Sequence, residues 1–286
     1  MRILITGGNG QLGTDLIEAF DGHDVVAAAH RDLDVADRDQ VLQAITTLQP
    51  DAVVHAGAWT AVDACESDPE RAFAVNALGT RHVAEGAAAI AARVCYVSTD
   101  YVFDGTSADP YNEWDQPNPQ SVYGRSKRAG EIELLQTLPG PATTIVRTSW
   151  VCGAHGSNMV KTVLRLASDP AHERLAFVDD QRGCPTFTAD LASMIRRLVV
   201  ERRPGLFHVT NQGPTTWFEF ARAVIAAAGM DPNRVDPIST EQLQPPRPAP
   251  RPANSVLDNA ALRLSGVPLL SDFHEPLERV VKELTS

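Results

Sequence analysis

Tyr123-Gly124-Arg125-Ser126-Lys127 sets a phenol and an ammonium four residues apart. On a helix of about 3.6 residues per turn, both project from one face. A free phenol titrates near about 10 and is a poor match for proton exchange at neutral pH. A fixed cation beside it favours the phenolate, each unit of depression being worth roughly 1.4 kcal/mol. The spacing therefore predicts a proton-transfer pair, with Lys127 also able to donate hydrogen bonds to a nucleotide ribose.

A second group of hydroxyls stands at Ser98-Thr99-Asp100-Tyr101, directly after the apolar run Val94-Cys95-Tyr96-Val97. That places them at the carboxyl end of a strand, where open α/β sheets bind ligands. Thr99 is expected to hydrogen-bond a reacting carbonyl oxygen and orient it toward Tyr123. The alternative is that Ser98 and Thr99 only satisfy backbone groups at a strand end.

The third feature is Thr6-Gly7-Gly8-Asn9-Gly10-Gln11-Leu12-Gly13, between the apolar Ile3-Leu4-Ile5 and a helical stretch. It fits G-x-G-x-x-G at Gly8, Gly10 and Gly13, and G-x-x-G-x-x-G at Gly7, Gly10 and Gly13. Such a turn brings backbone N–H groups close to a pyrophosphate. A dinucleotide site is expected there. Cofactor choice is read after the second strand, where an acid would bind a ribose 2′-hydroxyl and repel a 2′-phosphate. Here the run ends in His30-Arg31-Asp32, with no acid at the strand tip and Arg31 close by. The pattern favours NADPH, with NADH possible; otherwise Arg31 is a solvated loop charge. Asp34 and Val35 follow, where a carboxylate and a backbone N–H could read adenine.

The elements that must hold these groups alternate. Arg2–Thr6, Asp24–Ala29, Ala52–His55, Arg93–Ser98 and Thr143–Arg147 are runs of buried-strand length. Helical patterns lie between them at Gln11–Phe20, Arg38–Leu48, Pro69–Ala92 and Ser121–Leu138. This predicts an α/β fold with a Rossmann-type doubly wound parallel sheet. From about Trp150 the alternation loosens. Helices are expected at Asn158–Ala167, Thr188–Val200, Thr216–Ala228 and Phe273–Leu284, with a strand at Leu206–Thr210. Residues 1–150 are thus assigned to nucleotide binding and 151–286 mainly to a smaller substrate lobe, some of it returning to the main sheet. The proline-dense Gln244–Pro252 must be extended. It is a surface connection, an SH3-type ligand, or a cleft rim carrying Arg247 or Arg251.

Composition bounds the partners. The 286 residues are 43% apolar and 21% charged, which excludes disordered and fibrous classes. Lys+Arg 25 against Asp+Glu 36 gives a net charge of −11, which argues against nucleic acid or anionic membrane as a partner. Four separated cysteines without a C-x-x-C pair disfavour a zinc site or disulfide framework, and the histidines show no ligand spacing, so no metal is expected. No apolar run approaches a membrane span, and the start lacks a signal-peptide pattern. A soluble cytoplasmic protein, monomer or homodimer, is expected. Asp63 and Glu66 read as groups at a helix start, and Asn76 either bridges strand backbones near a nicotinamide or is a structural amide.

Together the glycine turn, Ser-Thr-Asp-Tyr-Val-Phe and Tyr-x-x-x-Lys resemble the extended short-chain dehydrogenase/reductases. Over nearly its whole length the chain resembles the dTDP-4-dehydrorhamnose reductase family. Supporting stretches are Gly57-Ala58-Trp59-Thr60-Ala61-Val62-Asp63, Asn76-Ala77, Arg147-Thr148-Ser149-Trp150, Asp180–Thr186 and Arg251–Leu257. The resemblance implies hydride delivery from NAD(P)H to C4 of a dTDP-4-keto-6-deoxy sugar, such as dTDP-4-dehydro-L-rhamnose. Tyr123 then protonates the alkoxide, assisted by Lys127 and Thr99. It further implies that Gly10, Gln11 and Leu12 contact the cofactor diphosphate, beside Gly7 and Gly13 of the glycine turn, and Asp34 and Val35 the adenosine. Gly57, Ala58, Trp59 and Asn76 would line the cofactor's path. Thr99, Asp100, Tyr123, Trp150 and Arg251 would meet the sugar. The missing acid after the second strand departs from members that accept NADH. Rival readings are another nucleotide-sugar ketoreductase, an epimerase, or a regulatory NADP-binding subunit. Tyr101, in place of the glutamate of dehydratases, disfavours dehydration.

Overall fold

Apolar runs without alternation call for a sheet covered on both faces, and the first half of the chain folds that way. The computed structural model describes Met1 to Ser286. The chain begins with β1 (Arg2–Thr6), α1 (Gln11–Ala19), β2 (Asp24–Ala28), α2 (Arg38–Leu48) and β3 (Ala52–His55). Then come α3 (Val62–Ser67), α4 (Pro69–Phe73), α5 (Gly79–Ala89) and β4 (Arg93–Thr99). α6 (Val122–Thr137) and β5 (Thr143–Thr148) complete this half.

Past Trp150 lie β6 (Val151–Cys152), α7 (Met159–Ser168), β7 (Leu175–Val178), β8 (Arg182–Gly183) and β9 (Thr186–Phe187). α8 (Thr188–Val200), β10 (Gly205–His208), β11 (Thr215–Thr216) and α9 (Trp217–Ala227) follow. β12 (Val235–Ile238), α10 (Ala260–Leu264) and α11 (His274–Thr285) end the chain.

Six strands form one parallel sheet in the order β10-β5-β4-β3-β1-β2. The order reverses between β1 and β3, so the loops after those strands open a crevice at their carboxyl ends. Alternate residues feed two cores. Ile3, Ile5, Val54, Cys95 and Val146 pack with Leu16 of α1 and Leu191, Ile195 and Leu198 of α8. Leu4, Val53, Val94, Tyr96 and Ile145 pack with Val41, Ile45, Val83 and Leu134 from α2, α5 and α6.

The pattern over 69–92 is helical without a break from Pro69 to Ala89, but not α throughout. A π turn, Ala74–Leu78, separates α4 from α5. An inserted residue of this kind is tolerated where it serves tertiary contacts, and here the turn carries Asn76. Its amide accepts from Trp59 N (2.8 Å) and donates to Trp59 O (3.1 Å) and Ser126 Oγ (3.0 Å). β10 and α8 lie beyond residue 150 yet complete the main sheet and its first core, as does Leu262 of α10. The second lobe is built on a third core in which α7, α9 and α11 meet, through Val160, Val163, Phe220, Val224, Leu277 and Val281. No helix is long and apolar enough to cross a membrane.

Candidate active site

The carboxyl ends of β1, β3, β4 and β5 open onto a cleft of about 650 Å³. The glycine turn forms its floor. Gly7 has φ +72°, and a Cβ there would come 2.9 Å from Gly57 Cα. A Cβ at Gly13 would lie 2.2 Å from the Gly7 carbonyl, so α1 can start this close to β1 only with glycine there. No side chain caps α1, whose N-cap residue is Gly10. The N–H groups of Gln11, Leu12 and Gly13, without partners in the first turn, suit a bound diphosphate. Thr6 Oγ1 receives the Gly57 N–H at 3.1 Å and stands 2.7 Å from His55 Nδ1, tying the two crevice loops together.

Tyr123 stands in the first turn of α6. Ser121 Oγ caps that helix by accepting the Gly124 N–H (3.1 Å), and Glu66 takes the Val122 N–H (2.7 Å). Glu66 therefore serves the helix of Tyr123 and Lys127 rather than its own. Gly124 is required because a Cβ there would meet the Tyr101 carbonyl at 2.1 Å. Tyr101 packs edge-on against Tyr123, with centroids 5.5 Å apart. Lys127 is buried one turn on, donates to Val97 O at 2.7 Å, and lies 4.1 Å above the Tyr96 ring.

The expected electrostatics of this pair need correction. Burial pushes the Tyr123 phenol well above its ordinary value, against the opposing pull of the nearby Thr99 hydroxyl. Lys127 is not among the groups acting on the phenol. Burial instead lowers the Lys127 ammonium itself to about 7, against the pull of Glu131. Desolvation outweighs the pairwise attraction for both groups. The consequence suits one direction of chemistry: Tyr123 stays a neutral O–H donor.

Thr99 donates to Asp100 Oδ1 at 2.9 Å and accepts the Tyr101 N–H at 3.3 Å. Its hydroxyl thus serves local groups and also faces Tyr123. Asp100 is buried beside it, which raises its carboxyl to about 6, opposed by hydrogen bonds from Ser255 and Thr99. Trp150 sits at φ +46° and stacks on Trp217, with centroids 3.5 Å and planes 5° apart. A Cβ at residue 183 would come 2.4 Å from the indole, which explains the glycine of Asp180–Thr186.

Gly7, Gly10, Gln11, Leu12, Gly13, Val35, Gly57, Ala58 and Trp59 all line the cleft, together with Thr99, Asp100, Tyr123, Lys127 and Trp150. Four expected site residues do not. Arg31 projects into solvent with its side chain 87% exposed, and it is His30 that reaches the cleft edge. Asp34 bonds the Ala36 N–H at 3.0 Å. Asn76 acts one layer behind, on Trp59 and Ser126. Arg251 grips Asp63 with two hydrogen bonds of 2.9 and 2.8 Å, and the Ala249 N–H joins them at 3.1 Å. That clasp pins the proline-rich strap to α3, and Asp63 is its partner rather than a helix cap. The main omission of sequence reasoning is Trp217; its only signal is a tryptophan opening an amphipathic helix.

The match to known proteins covers the whole chain. The family model described as "RmlD substrate binding domain" matches residues 1–286. A dTDP-4-dehydrorhamnose reductase of Streptomyces griseus is 42% identical over 273 residues, covering 93% of this chain and 88% of that protein. The crystal structure of a dTDP-4-dehydrorhamnose reductase from Clostridium acetobutylicum superposes with a TM-score of 0.95 at 38% identity, covering all of both chains. That of the Bacillus anthracis reductase in complex with NADP has a TM-score of 0.94 at 38% identity, covering 99% of each. The chain belongs to the dTDP-4-dehydrorhamnose reductase family.

Proposed function

We propose that this protein reduces the C4 keto group of a dTDP-4-dehydro-6-deoxy sugar, converting dTDP-4-dehydro-L-rhamnose to dTDP-L-rhamnose, with NADPH as reductant. When bound, the reduced nicotinamide supplies the hydride. The glycine turn and the uncapped start of α1 hold the diphosphate. Thr99, its hydroxyl turned from Asp100 Oδ1 to the bound ketone, and Tyr123 take the ketone oxygen between two O–H groups, and Tyr123 passes its proton to that oxygen as negative charge develops. The raised pKa of Tyr123 keeps this proton on the phenol until it is needed. Lys127, as an ammonium, holds the nicotinamide ribose. Trp150 walls the sugar and Asp100 binds a sugar hydroxyl. The C. acetobutylicum and B. anthracis relatives bear the reductase name, and the latter holds NADP, which supports the cofactor choice.

The observation that carries this reading is the convergence of Tyr123, Lys127 and Thr99 on the cleft floored by Gly7–Gly13. The test is oxidation of NADPH and of NADH in the presence of dTDP-4-keto-6-deoxy-L-mannose, followed at 340 nm (about the usual nicotinamide band). Stoichiometric consumption with NADPH preferred is expected. Conversion without net consumption would indicate an epimerase, and tight NADPH binding with no oxidation would indicate a regulatory subunit.

A further inference from the structure

Behind the cleft lies a buried charge cluster that the chemistry above does not use. Glu131 is fully buried on α6, one turn beyond Lys127. Its carboxylate accepts from Arg147 Nε and Nη2 (both 2.8 Å), from Ser98 Oγ (2.6 Å) and from Arg128 Nη1 (2.7 Å). A buried carboxylate is costly unless fully partnered, and an apolar group often serves stability as well. Stability alone is therefore a weak reason for this arrangement. Each partner belongs to a segment that carries part of the site. Ser98 precedes Thr99 on β4, Arg147 leads into Thr148, Ser149 and Trp150, and α6 itself bears Tyr123 and Lys127.

We propose that Glu131 is a positioning residue for the reduction: one carboxylate registers α6 against the ends of β4 and β5 and holds the Lys127 side chain as an ammonium. This rests on the reading of Tyr123 and Lys127 given above. The groups facing Lys127 are His55 of β3, Tyr96 of β4, and Tyr123 and Glu131 of α6. Burial keeps His55 neutral, at about 3, and keeps both phenols protonated. Glu131 is thus the one anion among them, held ionised by Arg147, Ser98 and Arg128. Removing its charge lets the ammonium lose its proton at lower pH. The alkaline limb of activity must then move down.

The test is the pH profile of kcat/KM for the full chain with NADPH and the keto sugar nucleotide. Glu131→Gln, and Glu131→Gln combined with Arg147→Met to avoid an unpaired guanidinium, are expected to shift the alkaline limb down by about one pH unit or more. That is about tenfold less activity on the falling limb. Ser98→Ala keeps the charge and should lower kcat with the limb in place. Folded Glu131 variants whose limb coincides with wild type would overturn the inference alone. Failure of both to fold would also overturn it, marking Glu131 as structural. A wild type that never oxidises NADPH would overturn the reductase reading, and this inference with it.

Discussion

The indole of Trp150, on the loop leaving β5, lies flat against that of Trp217, the first residue of α9, with 3.5 Å between ring centroids. The two tryptophans come from separate segments of the chain and line one cleft together. The stack also braces the left-handed backbone of Trp150, a conformation costly for a bulky residue. Trp217→Ala should free that ring. An aromatic pair is worth about 0.5–1.5 kcal/mol beyond its buried area, so KM for the sugar nucleotide should rise roughly three- to tenfold. Cofactor affinity should hold, as measured by fluorescence titration with NADPH.

Gly183→Ala tests the same wall from its other side. Its Cβ would press into the indole at 2.4 Å. The ring must move, and overpacking of this kind costs about 1–3 kcal/mol. A lowered Tm together with a raised KM for the sugar nucleotide is expected. An unchanged KM would remove Trp150 from substrate contact.

Tyr123→Phe deletes the proposed proton donor and little volume. Turnover should fall about 10²–10⁴-fold, the usual worth of general acid catalysis. NADPH affinity should stay near wild type in the same titration. Retained turnover would eliminate Tyr123 as the donor.

Arg31 lies exposed just beyond β2, its guanidinium 3.6 Å from Asp32, on the side where a 2′-phosphate would arrive. A charge-assisted contact is worth about 1.5–3 kcal/mol. Arg31→Ala should therefore weaken NADPH roughly 10- to 100-fold and leave NADH almost unaffected. Equal effects on both cofactors would make Arg31 an ordinary surface charge.

Two buried imidazoles add to the acid sensitivity of the fold. His55 and His208 are held neutral by burial, each lowered from 6.5 to about 3. The unfolded chain takes up protons below about 6.5 that the fold excludes. Their stabilisation is therefore complete above about 6.5 and is lost as pH falls toward 3. Tm should decline steadily through that window. His208→Asn keeps a donor toward the Tyr111 and Asp258 carbonyls, which His208 Nδ1 now approaches at 3.1 Å. It should flatten part of the slope.

Much of the molecule was legible from local pattern. The strand runs, α2 and α8, the glycine turn and the shared face of Tyr123 and Lys127 follow from periodicity and spacing, because neighbours in the chain are neighbours in a helix or strand. What pattern could not supply was the balance of long-range terms. Spacing suggests that Lys127 lowers the Tyr123 pKa, but only packing shows both groups so desolvated that burial dominates. Arg251 reads as a substrate contact until the strap folds back and Asp63 takes it. The Trp150–Trp217 wall and the hold of Glu131 on β4 and β5 join residues with no local relation. Desolvation and distant contacts depend on what the whole chain brings together, so they exist only in the folded molecule.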